Sequence, residues 1–139
     1  MTDQIVATMA GRTTYGVSGS DQGVINGDVV LTAKITNIST IGSTFVACPV
    51  AGKIKTIYSA IKNAITVADA ALTFELGGVA ITDGAITVAF TDSAAGDVDS
   101  CTPTALNVIT AGQAIECITD GGSTTTCPTM LTIVVSPTL

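Results

Sequence analysis

Apolar and polar residues alternate with a period of two along most of this chain. Within residues 71–90, Leu72, Phe74 and Leu76 alternate with Thr73 and Glu75, and Ile86, Val88 and Phe90 alternate with Thr87 and Ala89. That is the period of a half-buried strand. Gly77-Gly78 and Asp83-Gly84 lie between the two runs and tolerate the positive φ of tight turns, so an antiparallel hairpin is expected here. Upstream, Val29, Leu31, Ala33 and Ile35 face one way and Val30, Thr32, Lys34 and Thr36 the other. A second strand is expected over residues 44–50, with Val46, Cys48 and Val50 on one face and Pro49 marking an edge position or a bulge. Downstream, short strands are expected over 97–102 (stopped at Pro103), 106–109 and 114–119. In the last run, 124–135, Cys127, Thr129, Leu131, Ile133 and Val135 share a face.

Two segments read less simply. Ile54, Ile57, Tyr58, Ile61 and Ile65 recur at helical spacing, yet residues 53–61 are rich in Ile and Thr, follow Ala51-Gly52 and have no N-cap residue just before them. A strand is favoured there, with a helix as the alternative. Residues 1–28 are rich in Thr, Ser, Gly and Asp without a sustained period. They read as an extended arm: either a frayed tail, or a segment that orders on a partner through Ile5, Val6, Met9, Arg12 and Tyr15. About eight short strands separated by turns predict an all-β fold: an antiparallel β-sandwich, jelly-roll-like, over residues 29–139, preceded by the N-terminal arm.

Composition narrows the function. The 139 residues include no Trp, three Phe and two Tyr, so the core must be built from Val, Ile, Leu, Ala and Thr. Charged residues make up only 12% of the chain, about half the usual share. That is little charge to cover a monomer's surface, and it points to apolar surface buried against partners. A net charge of −6 with a single arginine argues against nucleic acid, whose phosphates need clustered cations. No apolar run approaches the roughly 18 residues of a membrane helix. The N-terminus lacks a basic stretch followed by an apolar one, so a protein made and used in the cytoplasm is expected.

Reactive chemistry is sparse. The chain has no His, which removes the commonest general base and zinc ligand together. Asp92, Asp97 and Asp99 could offer oxygen ligands to a cation, but their spacing is not that of an EF-hand loop, and acidic turns are ordinary. No catalytic residue, cofactor or metal site is assigned. The four cysteines form no C-x-x-C pair. If a turn centres on residues 121–123, Cys117 faces Cys127 across a hairpin and the two are a candidate disulfide; alternatively they are small buried apolar groups. Lys53, Lys55 and Lys62 form the main basic cluster, read as a solvated or edge-protecting face or as a contact for an acidic partner.

From Val46 onward the landmarks are Pro-x-Ala-Gly at 49–52, Gly77-Gly78, Ser-Ala-Ala-Gly at 93–96, Pro-Thr-Ala-x-Asn at 103–107, Ala111-Gly112, Asp-Gly-Gly-Ser at 120–123 and a closing apolar strand. This succession resembles the β-domain of tailed-phage capsid decoration, or cement, proteins over about two thirds of the chain. The resemblance implies a small β-sandwich that associates as a homotrimer. It would sit on the outer capsid surface of the virion, bridge subunits of the major capsid protein and carry out no enzymatic reaction. It also implies an arm that aids attachment, here residues 1–28. Two other classes stay open: a head-fibre or receptor-binding module, and a secreted adhesin or carbohydrate-binding domain, the latter short of the aromatic platforms that usually read sugars.

Overall fold

The structure, a computed structural model, describes residues 27–138. The described residues form nine strands and no helix: β1 (Val29–Ile35), β2 (Gly42–Ala47), β3 (Gly52–Ile61), β4 (Ala70–Leu76), β5 (Val79–Val88), β6 (Val98–Cys101), β7 (Val108–Ile109), β8 (Ala114–Thr119) and β9 (Thr129–Pro137). They make two antiparallel sheets. The first has the order β1-β9-β3-β6, with the short β7 also paired to β3, and the second has the order β2-β8-β4-β5. The chain crosses repeatedly from one sheet to the other, so strands far apart in sequence become neighbours. This is the interleaved order of a jelly roll.

The inward residues follow from the alternation. Leu72, Phe74 and Leu76 of β4, Ile86 and Val88 of β5, Ile115 and Cys117 of β8, and Leu131, Ile133 and Val135 of β9 are all buried in one core. β1 and β2 are edge strands, and their inward residues Val29, Leu31, Ala33 and Val46 are only partly buried. Pro49 lies just past the end of edge strand β2, which stops at Ala47 and not at residue 50.

Residues 53–61 are strand, as favoured, and the helical spacing has a local cause. Ile54 pairs with Val135 and Thr56 with Val134, leaving Lys55 as an extra residue, a β-bulge. The bulge moves the buried positions from Ile54 to Ile57 and Ile61, giving steps of three and four in a strand whose period is two.

Three further expectations need correction. The hairpin turn consists of Gly77-Gly78 alone, both at positive φ, as a two-residue turn of type I′ requires. Asp83-Gly84 belongs to a bulge inside β5, where residues 81–84 stand opposite Phe74 between the pairs Thr73–Ala85 and Glu75–Ala80. The bulge reaches to the β6–β7 connection: Thr82 N–H donates to Ala105 O and Thr104 N–H to Thr82 O, both at 3.0 Å, while Thr104 Oγ1 donates to Asp83 Oδ2. A Cβ at Gly84 would come within 2.7 Å of the Ile81 side chain, so the bulge needs glycine. The last strand starts at Thr129 and not at residue 124, because the residues before it cross between sheets and bond elsewhere: Cys127 N–H donates to Asn37 Oδ1 at 3.0 Å, and Asn63 Nδ2 to Thr126 O at 3.1 Å.

That crossing removes the third expectation, the Cys117–Cys127 hairpin. β8 pairs with β2 and β4, whereas Cys127 leads into β9 of the opposite sheet. All four cysteines are free and buried, and the Cys127 thiol donates to Asn63 O at 3.2 Å.

One buried polar atom is unmatched among the described residues: Ser59 Oγ on the inward side of β3. An unsatisfied buried hydroxyl costs about 1–3 kcal/mol in desolvation. Ser59→Ala is therefore expected to leave stability unchanged or raise it by up to about 1 kcal/mol, read as an unchanged or higher denaturation midpoint in urea.

Candidate interaction face

Strand order brings the outward residues of the first sheet into rows. Val30 and Thr56 flank Val134; Thr32, Thr132, Tyr58 and Ser100 form the next row; Lys34, Met130, Ala60 and Val98 the third. Val108 stands beside Lys53 at one end. Five large apolar side chains thus point outward from one sheet, from Tyr58 at 41% exposed to Val108 at 65%. The outward charges on its strands are Lys34, Lys53 and Lys55, and Asp99 stands instead opposite the buried Ser59.

The outward side of the second sheet differs. Phe45, Glu116, Glu75 and Ala80 lie in one row, with Ser43, Ile118, Thr73 and Ala85 in the next. Glu75 and Glu116 are direct cross-strand neighbours, a pairing that repels, and Ser43 Oγ donates to Glu116 Oε2 at 2.6 Å. The lysines and the glutamates are therefore on different sheets. All four lysines lie on the first sheet or, for Lys62, directly after β3, and both glutamates lie on the second.

An open hollow of about 360 Å³ lies at one end of the first sheet, lined by Lys34, Ala60, Lys62, Pro128 and Met130. At the other end the chain enters β1 beside the Lys55–Asp28 ion pair, 2.8 Å. An exposed pair of this kind contributes little stability, but it places the root of the N-terminal segment at the border of this face.

The other residues singled out from the sequence are distributed as follows. Ile5, Val6, Met9, Arg12 and Tyr15 lie outside the described residues. Asp97 Oδ2 accepts a hydrogen bond from Ala94 N–H at 2.7 Å, which closes the turn before β6. Asp99 is held above the usual carboxylate range by burial and then by the neighbouring Asp97. Among the described residues no group of three or more acidic or cysteine side chains converges as a metal site would require. Asp69 and Asp120 also serve the backbone: Phe90 N–H donates to Asp69 Oδ1, and Ala71 and Gly122 N–H donate to Asp120 Oδ1.

Two thiols sit in the core between the sheets. Burial pushes Cys101 up to about 11, against an opposing hydrogen bond from the Ile57 backbone. Burial first, then Cys101 and Glu116, pushes Cys117 up to about 12. Both are inert, protonated core groups at neutral pH.

The apolar rows of the first sheet went unrecognised in the sequence. Their residues come from four separated segments, and strand order alone makes them neighbours. No protein-family model matches the chain, and no curated protein is significantly similar to it in sequence.

Proposed function

We propose that this chain is a structural virion protein that decorates and stabilises a tailed-phage capsid, associating as a homotrimer and bridging major capsid protein subunits on the outer surface of the head. The observation that carries this reading is the outward face of the first sheet, where Val30, Tyr58, Val98, Val108 and Met130 are exposed. Exposed apolar side chains gathered on one sheet of a small domain are a candidate surface for another protein, and the low overall charge of the chain agrees with such burial. The turn landmarks shared with cement proteins add support. They include Gly77-Gly78, the turn at 93–96 and Ala111-Gly112, where Gly77, Gly78, Gly96 and Gly112 all take positive φ. A protein that binds only the assembled shell stabilises it by mass action, which requires no reactive centre.

Two measurements test this reading. Light scattering on the purified protein is expected to give three times the 13.8 kDa chain mass, and the protein is expected to co-sediment with undecorated heads, with added density at capsomer junctions in electron micrographs. A monomer that stays in the supernatant overturns the proposal. Density confined to projecting fibres replaces it with the head-fibre reading.

A further inference from the structure

We infer that Ser59 and Asp99 form a proton-controlled latch on the edge strand β6. When the Asp99 carboxyl is protonated it turns inward and donates a hydrogen bond to Ser59 Oγ, and when it is ionised the two side chains stay apart. The inference concerns the fold itself and stands whether or not the chain binds a capsid.

The register creates the juxtaposition. β6 is four residues long and pairs on one side only, with β3, through Ile57–Cys101, Tyr58–Ser100, Ser59–Asp99 and Ala60–Val98. Ser59 lies in the buried phase of β3 with Ile57 and Ile61. Asp99 shares the inward phase of β6 with Cys101 and is half-buried, while Val98 and Ser100 are exposed. Directly opposite residues on one face of an antiparallel pair have Cβ atoms about 5 Å apart, so a turn of the Asp99 side chain is enough to bring its carboxyl to the hydroxyl. In the structure they do not meet: Ser59 Oγ is fully buried and has no partner among the described residues. An unmatched buried hydroxyl is costly. Its cross-strand neighbours are Leu131 on one side and Asp99 on the other, and of the two Asp99 alone can match it.

The ionised carboxylate is kept from doing so. Turning inward would strip it of water, and burial, then Asp97 two residues before it, already favour its acid form. Among the described residues no cation offsets them. Lys53 and Lys55 lie in the exposed phase of β3, and Lys62 lines the hollow at the end of the outward face. β5, packed against β6, carries only Asp83, which accepts from Thr104 Oγ1. Asp97 accepts from Ala94 N–H, and Asp92 lies further back in the same connection. The direction follows from proton counting: a carboxyl held above its unfolded value contributes fully below that value, and its contribution is lost as pH rises through the folded one. Acid therefore fastens β6 to β3, and neutral pH leaves it to its backbone pairing alone.

The test compares wild type, Ser59→Ala and Asp99→Asn in the full chain. Carbon-detected NMR follows the Asp99 carboxyl titration. Hydrogen exchange, expressed as protection factors at about pH 4 and about pH 7, either side of the carboxylate range, follows the β6 amides bonded to β3 against those of β9. In wild type, β6 protection relative to β9 is expected to rise on acidification by roughly 5-fold, the weight of one hydrogen bond. Ser59→Ala is expected to abolish that rise and to lower the Asp99 midpoint, because a partner of the acid form is gone. Asp99→Asn, neutral throughout and able to donate through its amide, is expected to keep β6 protected at both pH values. An Asp99 midpoint that rises in Ser59→Ala overturns the latch by showing that Ser59 serves the carboxylate. An unchanged midpoint also overturns it, by showing that the hydroxyl is matched elsewhere, as by a buried water. So does β6 protection that follows β9 at both pH values in wild type. Ser59→Ala adds no bulk to the core and decides the matter if Asp99→Asn does not fold.

Discussion

Raising the pH from roughly 8 to 11 is expected to lower the folding free energy by about 4–5 kcal/mol through Cys101 and Cys117 alone. The direction follows from proton counting. An ordinary thiol titrates near 9, whereas Cys101 and Cys117 in the folded protein titrate at about 11 and about 12. Below pH 9 both states hold the thiol protons and the contribution is nil. Above pH 9 the unfolded chain releases them while the folded core retains them, so stability falls with rising pH by about 1.4 kcal/mol per unit for each thiol. The loss continues until each folded-state value is passed. Both side chains are nearly inaccessible, so solvent screening does not erase the effect. Against a total stability of about 5–15 kcal/mol for a domain of this kind, the loss is large enough to bring the protein close to unfolding. Urea denaturation at stepped pH measures it. Cys101→Ala/Cys117→Ala is expected to be less stable at pH 8 but to show a flatter pH profile above 9; an unchanged slope would show that these thiols are not the cause.

The same two cysteines illustrate what periodicity can and cannot disclose. That Cys117 and Cys127 each fall on a buried face was legible, because each sits in phase with apolar neighbours: Ile115 for Cys117, Leu131 and Ile133 for Cys127. Their relation to each other was not. Nearness in sequence predicts a hairpin, but the chain between them crosses from one sheet to the other, and β8 takes its partners from residues 42–47 and 70–76. Alternation reports which side of a strand is buried; it carries no information about which strand lies beside it.

Bulges account for the other misreadings. Lys55 shifts the phase of β3 and makes a strand resemble a helix. Asp83-Gly84 carries the strongest short hairpin signal in its region, yet Gly77-Gly78 makes the turn and the later pair bulges toward Ala105. The tetrapeptide Ile-Thr-Asp-Gly occurs at both 81–84 and 118–121. At the first copy Asp83 takes positive φ within β5, and at the second Gly121 does so in the connection that leaves β8. Identical local chemistry serves different ends because the partner strands differ. The outward apolar side of the first sheet shares this limit. Each of its residues reads as an unremarkable outward position, and only the order β1-β9-β3-β6 gathers Val30, Met130, Tyr58 and Val98 onto one face.

Phe74→Ala is expected to destabilise the fold by about 3–5 kcal/mol, the range for removing a fully buried aromatic side chain. Phe74 has no exposed surface, and it is the largest fully buried side chain in a core otherwise made of Ile, Leu, Val, Ala and Cys. Its strand position matters as much as its size. Phe74 stands opposite the bulge of residues 81–84 on one side and pairs with Cys117 on the other. With Thr82 bonded to Ala105 and β8 held between β2 and β4, neither neighbour is free to collapse into the space. The transfer loss and the cavity term therefore add. The cavity would open beside Cys117, so two readouts should move together: a lower urea midpoint, and labelling of Cys117 by a thiol reagent under native conditions where the wild-type thiol stays protected. Phe74→Leu retains most of the volume and is expected to restore both measures in large part. A Phe74→Ala protein that melts within about 1 kcal/mol of wild type, below the range of such losses, would mean that this side chain does not organise the core.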